Sequence, residues 1–296
     1  MTSTIEWELY RSFLGVLREG SLSGAARALG VAQPTVGRHV AALEAALGLA
    51  LFTRSPTGLL PTEAALALRP HAQAMESTAA ALERAAASIG DGVRGVVRVT
   101  ASEVIGVEVL PDVVARLRAR HPDLEIELLL SNDLQDLLQR EADIAVRMVR
   151  PTQDQLVARR IGAIAVGLHA HPDYLARRGT PATMAELAGH TLVGYDRMTP
   201  LVRAGLKRWP QLERRSFALR TDSDVAQLAL IRAGAGIGFC QAPLARRAPA
   251  LVRVLPGEFD LVFDTWITMH EDLRDSPRCR VTFDALAEAL AAHASG

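Results

Sequence analysis

The amino-acid sequence predicts a chain of three parts: an N-terminal winged helix-turn-helix that is mainly α, a long linker helix, and a C-terminal α/β domain of two lobes. Two capped helical patterns meet at a tight corner within residues 21–48, and a heptad repeat of apolar residues follows. Beyond residue 93, strand patterns alternate with helical patterns. We place the three parts at 1–61, 62–90 and 91–296, with lobe one at about 93–164 and 268–296 and lobe two at about 165–267.

The composition bounds the class of protein. Of 296 residues, 49% are apolar and 22% are charged, as in ordinary folded domains. The first residues lack a basic leader with an apolar core, and no stretch reaches about 18 apolar residues, so we expect a cytoplasmic protein. Residues 1–65 contain five Arg and five Glu, so binding to nucleic acid must depend on where the charges lie. Cys240 and Cys279 are in no zinc-site spacing, and we expect buried thiols.

The segment SLSGAARALGVAQPTVGRHVAALEAALG, residues 21–48, predicts two helices joined by a tight turn. Ser23 is a suitable N-cap for the first helix and Gly30 suits its left-handed end, while Pro34 is expected at the first position of the second helix. Polar side chains that can pair with base edges lie on the outer face of the second helix: Gln33, Thr35, Arg38 and His39. A helical hairpin inside a bundle would show the same caps and spacing, so this segment alone leaves both interpretations open.

The next residues, 49–65, favour DNA binding. Two short apolar runs flank Ser-Pro-Thr-Gly, which is typical of a type I turn in a small hairpin. A hairpin directly after a helix-turn-helix is typical of a wing. Arg54, at the end of its first strand, is placed to reach a phosphate or the minor groove, whereas without the preceding helices it would be an ordinary surface arginine.

A long helix is predicted from Thr62 onward. Its apolar residues recur three and four apart, as in a coiled-coil seam: Ala72, Met75, Ala79, Leu82, Ala86 and Ile89. A rod of about 40 Å is too long to bury this stripe within a small winged module, so we expect it to pair with a second copy of the chain. Pro70 is expected to kink or restart the helix. Packing against the chain's own next domain is the alternative.

These features in this order resemble the LysR-type transcriptional regulators along the whole chain. The resemblance rests on the helix-turn-helix segment, the Leu43–Glu44 pair, the Leu51–Phe52 pair and Arg54. It implies a regulator that binds double-stranded DNA at a promoter or operator, as a homodimer and further as a homotetramer, and that works with RNA polymerase. Ala32 and Gly37 depart from the family, which usually has serines there, and this affects the expected site preference.

The C-terminal part has the strand and helix alternation of two α/β lobes. The resemblance implies a fold like the type 2 periplasmic solute-binding proteins, in which the chain crosses between the lobes twice and a small-molecule effector lies in the cleft. Ligands in such sheets lie beyond the carboxyl ends of the strands, near helix N-termini. This rule selects eight candidate effector-binding residues: Thr100, Ser102, Ser131, Asn132, Arg147, Thr221, Asp222 and Ser223.

The effector class is inferred from charge. Converging helix N-termini and the Arg147 guanidinium favour a small organic acid. Glu103 and Asp222 oppose it, because a charged carboxylate in the cleft would select an amine or a neutral hydroxylated molecule. Several candidates, Ser102 and Ser223 among them, are also ordinary N-caps.

No constellation in the sequence indicates an enzyme, a cofactor or a metal site. His169 and His171 have no second pair of metal ligands, and there is no Gly-x-Ser-x-Gly elbow. The glycines of GAGIGFC follow a helix and enter a strand, the reverse of a dinucleotide-binding turn. We therefore expect an effector-modulated DNA-binding regulator; a solute-binding or redox-sensing regulator without a small organic-acid effector is the alternative.

Overall fold

The structure is a computed structural model that describes residues 5–55, 58–87, 92–132, 142–151, 156–247 and 249–295. These residues form two compact units, one that ends at Ala86 and one that begins at Ala87. In the described residues, no helix is long and apolar enough to cross a membrane.

The first unit contains three helices, a two-stranded hairpin and a long fourth helix. Gly20, Gly30 and Gly48 end the first three helices with φ between 64° and 69°, the left-handed conformation that favours glycine. Its elements are α1 (Trp7–Glu19), α2 (Leu22–Leu29), α3 (Gln33–Leu47), β1 (Phe52–Ser55), β2 (Gly58–Pro61) and α4 (Glu63–Ala87).

The corner between α2 and α3 differs in two details from the prediction. The N-cap of α2 is Ser21, whose hydroxyl accepts a hydrogen bond of 3.1 Å from the Gly24 amide. The prediction of Ser23 as the cap was wrong because the chain is already helical at Leu22, which leaves Ser23 exposed inside the helix. Pro34 is the second residue of α3, which begins at Gln33. Proline is tolerated there because the first-turn amides have no partner within the helix.

The apolar side of α3 is buried as its spacing predicts. Val36, Val40 and Leu43 are at most 7% exposed. They pack into two small clusters with Phe13 and Leu14 of α1 and with residues of α2 and the hairpin. Burying a side chain of this size contributes about 1.5–3 kcal/mol, so this core fixes α3 and leaves its opposite face to solvent.

The long helix α4 is continuous through Pro70, and the expected restart at this residue was wrong. Ala72 was also wrongly assigned to the pairing seam, because it is 2% exposed within the core of the first unit. Met75 and Leu82 are 41% and 73% exposed. The side chain of Ala86 and the whole of Ile89 lie outside the described residues.

The second unit has nine described strands in one sheet, in the order β4-β3-β5-β11-β6-β9-β7-β8, with β10 paired to β6. Its strands are β3 (Gly95–Ala101), β4 (Leu124–Leu130), β5 (Ile144–Arg147), β6 (Leu156–Ala170), β7 (Leu192–Gly194), β8 (Leu219–Arg220), β9 (Ile237–Gln241), β10 (Val252–Val254) and β11 (Leu261–His270). Its helices are α5 (Glu103–Glu108), α6 (Leu110–Arg120), α7 (Pro172–Arg178), α8 (Pro200–Leu206), α9 (Asp224–Arg232), α10 (Ala242–Ala245) and α11 (Pro277–Ser295), with 3-10 turns at Met184–Gly189, Arg214–Ser216 and Glu271–Leu273.

Two lobes arise from the pairing of these strands. Strands β3, β4 and β5 are parallel, and so are β7, β8 and β9. The long strands β6 and β11 pair antiparallel along their length and join the two parallel groups, with an irregularity between Thr265 and Trp266. The predicted α/β fold of this unit is confirmed, and β6 and β11 are the strands that run between the two parallel groups. The segment NDLQDLLQRE, residues 132–141, has the sequence pattern of a helix, and it falls almost wholly outside the described residues.

Candidate DNA-binding face and effector cleft

The N-terminal turns of α3 present a polar face to solvent. Gln33, Pro34 and Arg38 are exposed, and Thr35 is half-buried beside them. The Arg38 guanidinium lies 3.5 Å from the Thr35 hydroxyl, so these side chains share one face. The amides of the first turn receive no side-chain cap from Ala32. This arrangement offers several hydrogen-bond donors at the end of a helix that is packed on its other side.

His39 is turned toward the interior of the unit instead. Its Nδ1 atom lies 2.8 Å from the hydroxyl of Ser12, which is 3% exposed on α1. This contact ties the middle of α3 to α1. His39 was predicted on the outer face together with Arg38. The two residues are neighbours in the sequence, and the sequence pattern does not show which of them turns toward the interior.

The wing is the hairpin of β1 and β2. Arg54 is exposed on β1 and lies opposite Leu59 of β2. No carboxylate of the described residues forms an ion pair with it. The predicted turn includes Pro56 and Thr57, which lie outside the described residues.

The carboxyl ends of β3 and β5 are joined by a buried arginine. Arg147 is 9% exposed, and its Nη2 donates a hydrogen bond of 2.7 Å to the hydroxyl of Thr100, which is 6% exposed. Its Nη1 donates to the carbonyl of Val146 at 2.9 Å. The guanidinium therefore already has internal hydrogen bonds at the place where it was predicted to clamp a carboxylate.

The start of α5 forms the lobe-one side of the cleft. Ser102 occupies the N-cap position, but its hydroxyl caps no amide, and Asn132 supplies the cap because its Oδ1 accepts from the Glu103 amide at 3.1 Å. Ser131 is half-buried directly before Asn132 and donates its amide to the Ala101 carbonyl at 3.0 Å. Thus Ser102, Ser131 and Asn132 lie together where β3 and β4 end.

The start of α9 forms the lobe-two side. Ser223 caps this helix by accepting from the Ala226 amide at 3.4 Å, and the Thr221 hydroxyl accepts from the Ser223 amide at 3.2 Å. Asp222 is not a cap. Its Oδ1 accepts from the Arg197 amide at 2.8 Å and its Oδ2 from the Arg197 side chain at 2.7 Å. Burial, which would raise the pKa of Asp222, is outweighed by these hydrogen bonds and the Arg197 charge, so the pKa is lowered.

Side-chain contacts between α5 and α9 join the lobes at both ends of the two helices. The Ser223 hydroxyl donates to Glu103 Oε2 at 2.7 Å, at the N-terminal ends of both helices. At their C-terminal ends, Arg232 forms two hydrogen bonds to the Glu108 carboxylate, at 2.7 and 2.8 Å. The two helices therefore lie side by side with both N-termini toward the same end. A Cβ at Gly106 would fall 2.0 Å from the end of the Leu130 side chain, so a larger residue there would require Leu130 to move.

Asp224 and Tyr195 also lie at this candidate site, and neither was predicted from the sequence. The Tyr195 hydroxyl donates to Asp224 Oδ1 at 3.3 Å. Burial, together with the negative charge of Glu103, raises the pKa of Asp224 to about 6, against hydrogen bonds from Tyr195 and Asn132 that lower it. Burial first, and then the Asp224 charge, raises the pKa of Tyr195. Asp224 could have been found from its position, because it is an acidic residue directly after the Ser223 cap. No feature of the sequence indicated Tyr195.

Neither cysteine has the environment of a reactive thiol. Cys240 and Cys279 are both buried free thiols. Burial raises the pKa of Cys240 to about 12, despite the lowering effect of the Arg232 charge. In the described residues, no group of three or more His, Cys, Asp or Glu side chains could hold a metal ion. A thiol that stays protonated at neutral pH is a poor nucleophile.

Comparisons with known proteins relate both units to one family. An HTH-type transcriptional regulator of Xanthomonas campestris is 32% identical over 178 residues, which cover 60% of this chain and 52% of that protein. The chain thus spans about half the length of this curated relative.

Solved structures resemble nearly the whole chain. The structure of CrgA, a LysR-type transcriptional regulator from Neisseria meningitidis, has a TM-score of 0.59 at 28% identity and covers 96% of this chain and 98% of that one. Full-length CbnR complexed with its target DNA has a TM-score of 0.64 at 20% identity, covers 96% of this chain and 99% of that one, and shows the fold alone.

Two family models match. One, for the bacterial regulatory helix-turn-helix protein of the lysR family, matches residues 7–66, and the other, for the LysR substrate binding domain, matches residues 90–291. The chain therefore belongs to the LysR family.

Proposed function

We propose that this protein is a transcriptional regulator that binds double-stranded DNA at specific sites and responds to a small molecule. The observation that carries the proposal is the exposed polar face at the start of α3, held on a helix-turn-helix core and followed by a wing with an exposed arginine. Family membership supports the same assignment. On this proposal, residues 1–61 bind DNA, 62–90 link and dimerise, and 91–296 bind the effector.

The DNA contacts follow from exposure. Gln33, Thr35 and Arg38 are placed to pair with base edges in the major groove, and Pro34 packs beside them at the helix end. Arg54 contacts the phosphate backbone or the minor groove. Ser23 and His39 are two further candidates. Ser23 is exposed on α2, where a backbone phosphate can approach. His39 acts indirectly, because its contact with Ser12 ties α3 to α1.

The protein is proposed to act as a homodimer in which α4 pairs with its copy. Met75 and Leu82 are the exposed apolar residues that support this pairing. A second contact between effector domains would complete a homotetramer. We further propose that the protein contacts RNA polymerase at the promoter and acts in the cytoplasm.

The effector is proposed to bind between the starts of α5 and α9. Hydroxyl and amide groups of both lobes converge there, and the Glu103–Ser223 hydrogen bond connects them. A molecule that binds at these helix starts would contact both lobes at once, so its binding free energy would depend on how the lobes are arranged. This coupling is what a regulator requires.

The side chains of the cleft favour an amine or a neutral hydroxylated effector over the small organic acid. Arg147 and the helix amides support the acid, but the guanidinium is already bonded to Thr100. Glu103 and Asp224 flank the same helix starts, where burial first, and then the negative charge of Glu103, raises the pKa of Asp224. An anion would meet the same repulsion.

Operator binding with and without candidate effectors tests the function. Duplexes selected by the full-length protein from a random pool are titrated by fluorescence anisotropy, with amines, neutral metabolites and carboxylates added in turn. We expect selection of one sequence motif and a change in its affinity with a member of the first two groups. Failure to select any duplex would refute the proposal.

A further inference from the structure

The start of the wing is fastened to the end of α3 by one side chain. Glu44 is half-buried in the last turn of α3, and its Oε1 accepts hydrogen bonds from the amides of Leu51 at 2.7 Å and Phe52 at 3.3 Å. Its main-chain carbonyl accepts from the amides of Gly48 and, at 3.2 Å, Leu49. Both polar ends of Glu44 thus bind the segment that leads into β1.

The stability of α3 does not explain a carboxylate at this position. A negative charge in the last turn interacts unfavourably with the helix dipole, by about 0.3–1 kcal/mol, and α3 has no basic residue in its last turn. Charge-assisted hydrogen bonds to the two amides offset this cost. The hydrogen bonds of the Glu44 carboxylate therefore stabilise the start of the hairpin, not α3.

The second strand of the hairpin has its own anchor. The Leu59 amide donates to the carbonyl of Gly20, at the end of α1, at 2.8 Å. Gly58 has φ 133°, and a Cβ there would lie 2.6 Å from the same carbonyl oxygen. Leu59 lies opposite Arg54 in the hairpin, so the arginine is held directly across from this anchor.

From these contacts we infer that Glu44 is a positioning residue for Arg54: it fixes the start of the wing on the recognition helix and so sets where the arginine meets DNA. Arg54 lies two residues beyond Phe52, about 7 Å along the strand and on the same face. A hairpin anchored on α1 and α3 loses its freedom on folding, so less entropy is lost when Arg54 binds. The inference rests on the proposed DNA contact of Arg54.

The test is a double-mutant cycle in DNA affinity, using full-length protein and the duplex that the wild type selects. The variants are Glu44→Gln, Glu44→Ala, Arg54→Ala and Glu44→Ala with Arg54→Ala. We expect Glu44→Ala and Arg54→Ala each to weaken binding about tenfold, and the double variant to bind no more weakly than Arg54→Ala. Glu44→Gln keeps the accepting Oε1 and should stay near the wild-type affinity.

The dependence of affinity on salt separates positioning from general damage. Loss of one phosphate contact lowers the slope of log affinity against log salt by about 0.9, and we expect this from Glu44→Ala as well as from Arg54→Ala. Glu8→Ala, at an exposed ion pair on α1, is the matched control and should change neither quantity. Thermal melting checks folding, and if Glu44→Ala does not fold, Glu44→Asp, whose carboxylate is one methylene shorter, takes its place in the cycle with the same expectation.

The outcomes are distinct. Losses that multiply in the double variant, or a folded Glu44→Ala protein with wild-type affinity, would overturn the role of Glu44. Wild-type affinity of Arg54→Ala would overturn the wing contact and the inference with it. If the wild type selects no duplex, the proposed function itself fails.

Discussion

The Glu103 carboxylate and the Ser223 hydroxyl lie 2.7 Å apart although 120 residues separate them in the sequence. They join the N-terminal ends of α5 and α9, one from each lobe. A small molecule that binds at these helix ends competes with this hydrogen bond or adds to it. On the proposed function, effector binding and the arrangement of the lobes are coupled at this pair.

The first prediction concerns the effector. In a thermal-shift screen, we expect stabilisation by an amine or a neutral hydroxylated molecule, and we expect Glu103→Gln and Ser223→Ala to reduce it. Arg147→Ala and Ser102→Ala serve as comparisons for the carboxylate hypothesis. Stabilisation by carboxylates alone, abolished by Arg147→Ala, would reverse the assignment.

The second prediction concerns the ion pair between the lobes. Arg232→Ala leaves the Glu108 carboxylate, which is 16% exposed, without its bidentate partner. We expect a loss of about 2–4 kcal/mol in the free energy of unfolding, measured with urea on the full chain. Arg160→Ala removes two exposed hydrogen bonds to Asp264 Oδ1 and is the control, with little expected change. Equal effects of the two variants would contradict a structural role for Arg232.

The third prediction concerns acid stability. Burial lowers the pKa of His169 to about 4, the Gly167 carbonyl opposes this and the Arg253 charge adds to it. Below pH 6.5 the unfolded chain binds protons that the folded chain does not, so stability present at neutral pH is lost as the pH falls from about 6.5 toward 4. From pH 7.5 to 5 this one histidine contributes a loss of about 2 kcal/mol.

The variant His169→Gln isolates this contribution. Asp224 works in the opposite direction, because its raised pKa means that protonation below about pH 6 stabilises the fold. A comparison with wild type at each pH cancels that effect. We expect urea unfolding of His169→Gln to depend less on pH than unfolding of the wild type does. An unchanged slope in His169→Gln would refute the assignment.

The fourth prediction concerns assembly. Met75→Glu with Leu82→Glu places like charges on the exposed stripe of α4, and we expect a smaller mass by light scattering. Leu66→Glu is the matched control, because Leu66 is 51% exposed on the same helix but outside the heptad spacing. A double variant with the wild-type mass would show that α4 does not mediate assembly.

The sequence predicted the elements well because their signals are local. Glycines at left-handed helix ends, the spacing of Val36, Val40 and Leu43, and the alternation of strands with helices each depend on neighbours within a few residues. The prediction failed where an adjacent residue competes for the same role, as at Ser21 and Ser23. It also failed for Ala72, whose apolar spacing suits a coiled coil and a domain core equally.

The cleft was harder to predict because its contacts join distant segments. The rule that ligands lie at carboxyl ends of strands and at helix starts selected Thr100, Ser102 and Ser223, and the structure has these residues at such positions. Whether Arg147 is free to clamp a ligand depends on Thr100, 47 residues away in the sequence. The partner of Asp222 likewise lies 25 residues earlier, in the loop after β7. Spacing alone cannot show such pairings.

Whether the exposed face of α3 reads DNA is tested by the affinity of Arg38→Ala for the duplex that the wild type selects, compared with its affinity for an unrelated duplex at the same salt concentration. Loss of a base contact should weaken specific binding by about 1–3 kcal/mol and change binding to the unrelated duplex much less. Arg27→Ala, an exposed arginine on α2, is the control and should keep most of the specificity. Wild-type specificity in Arg38→Ala would show that the exposed face of α3 is not the surface that reads DNA.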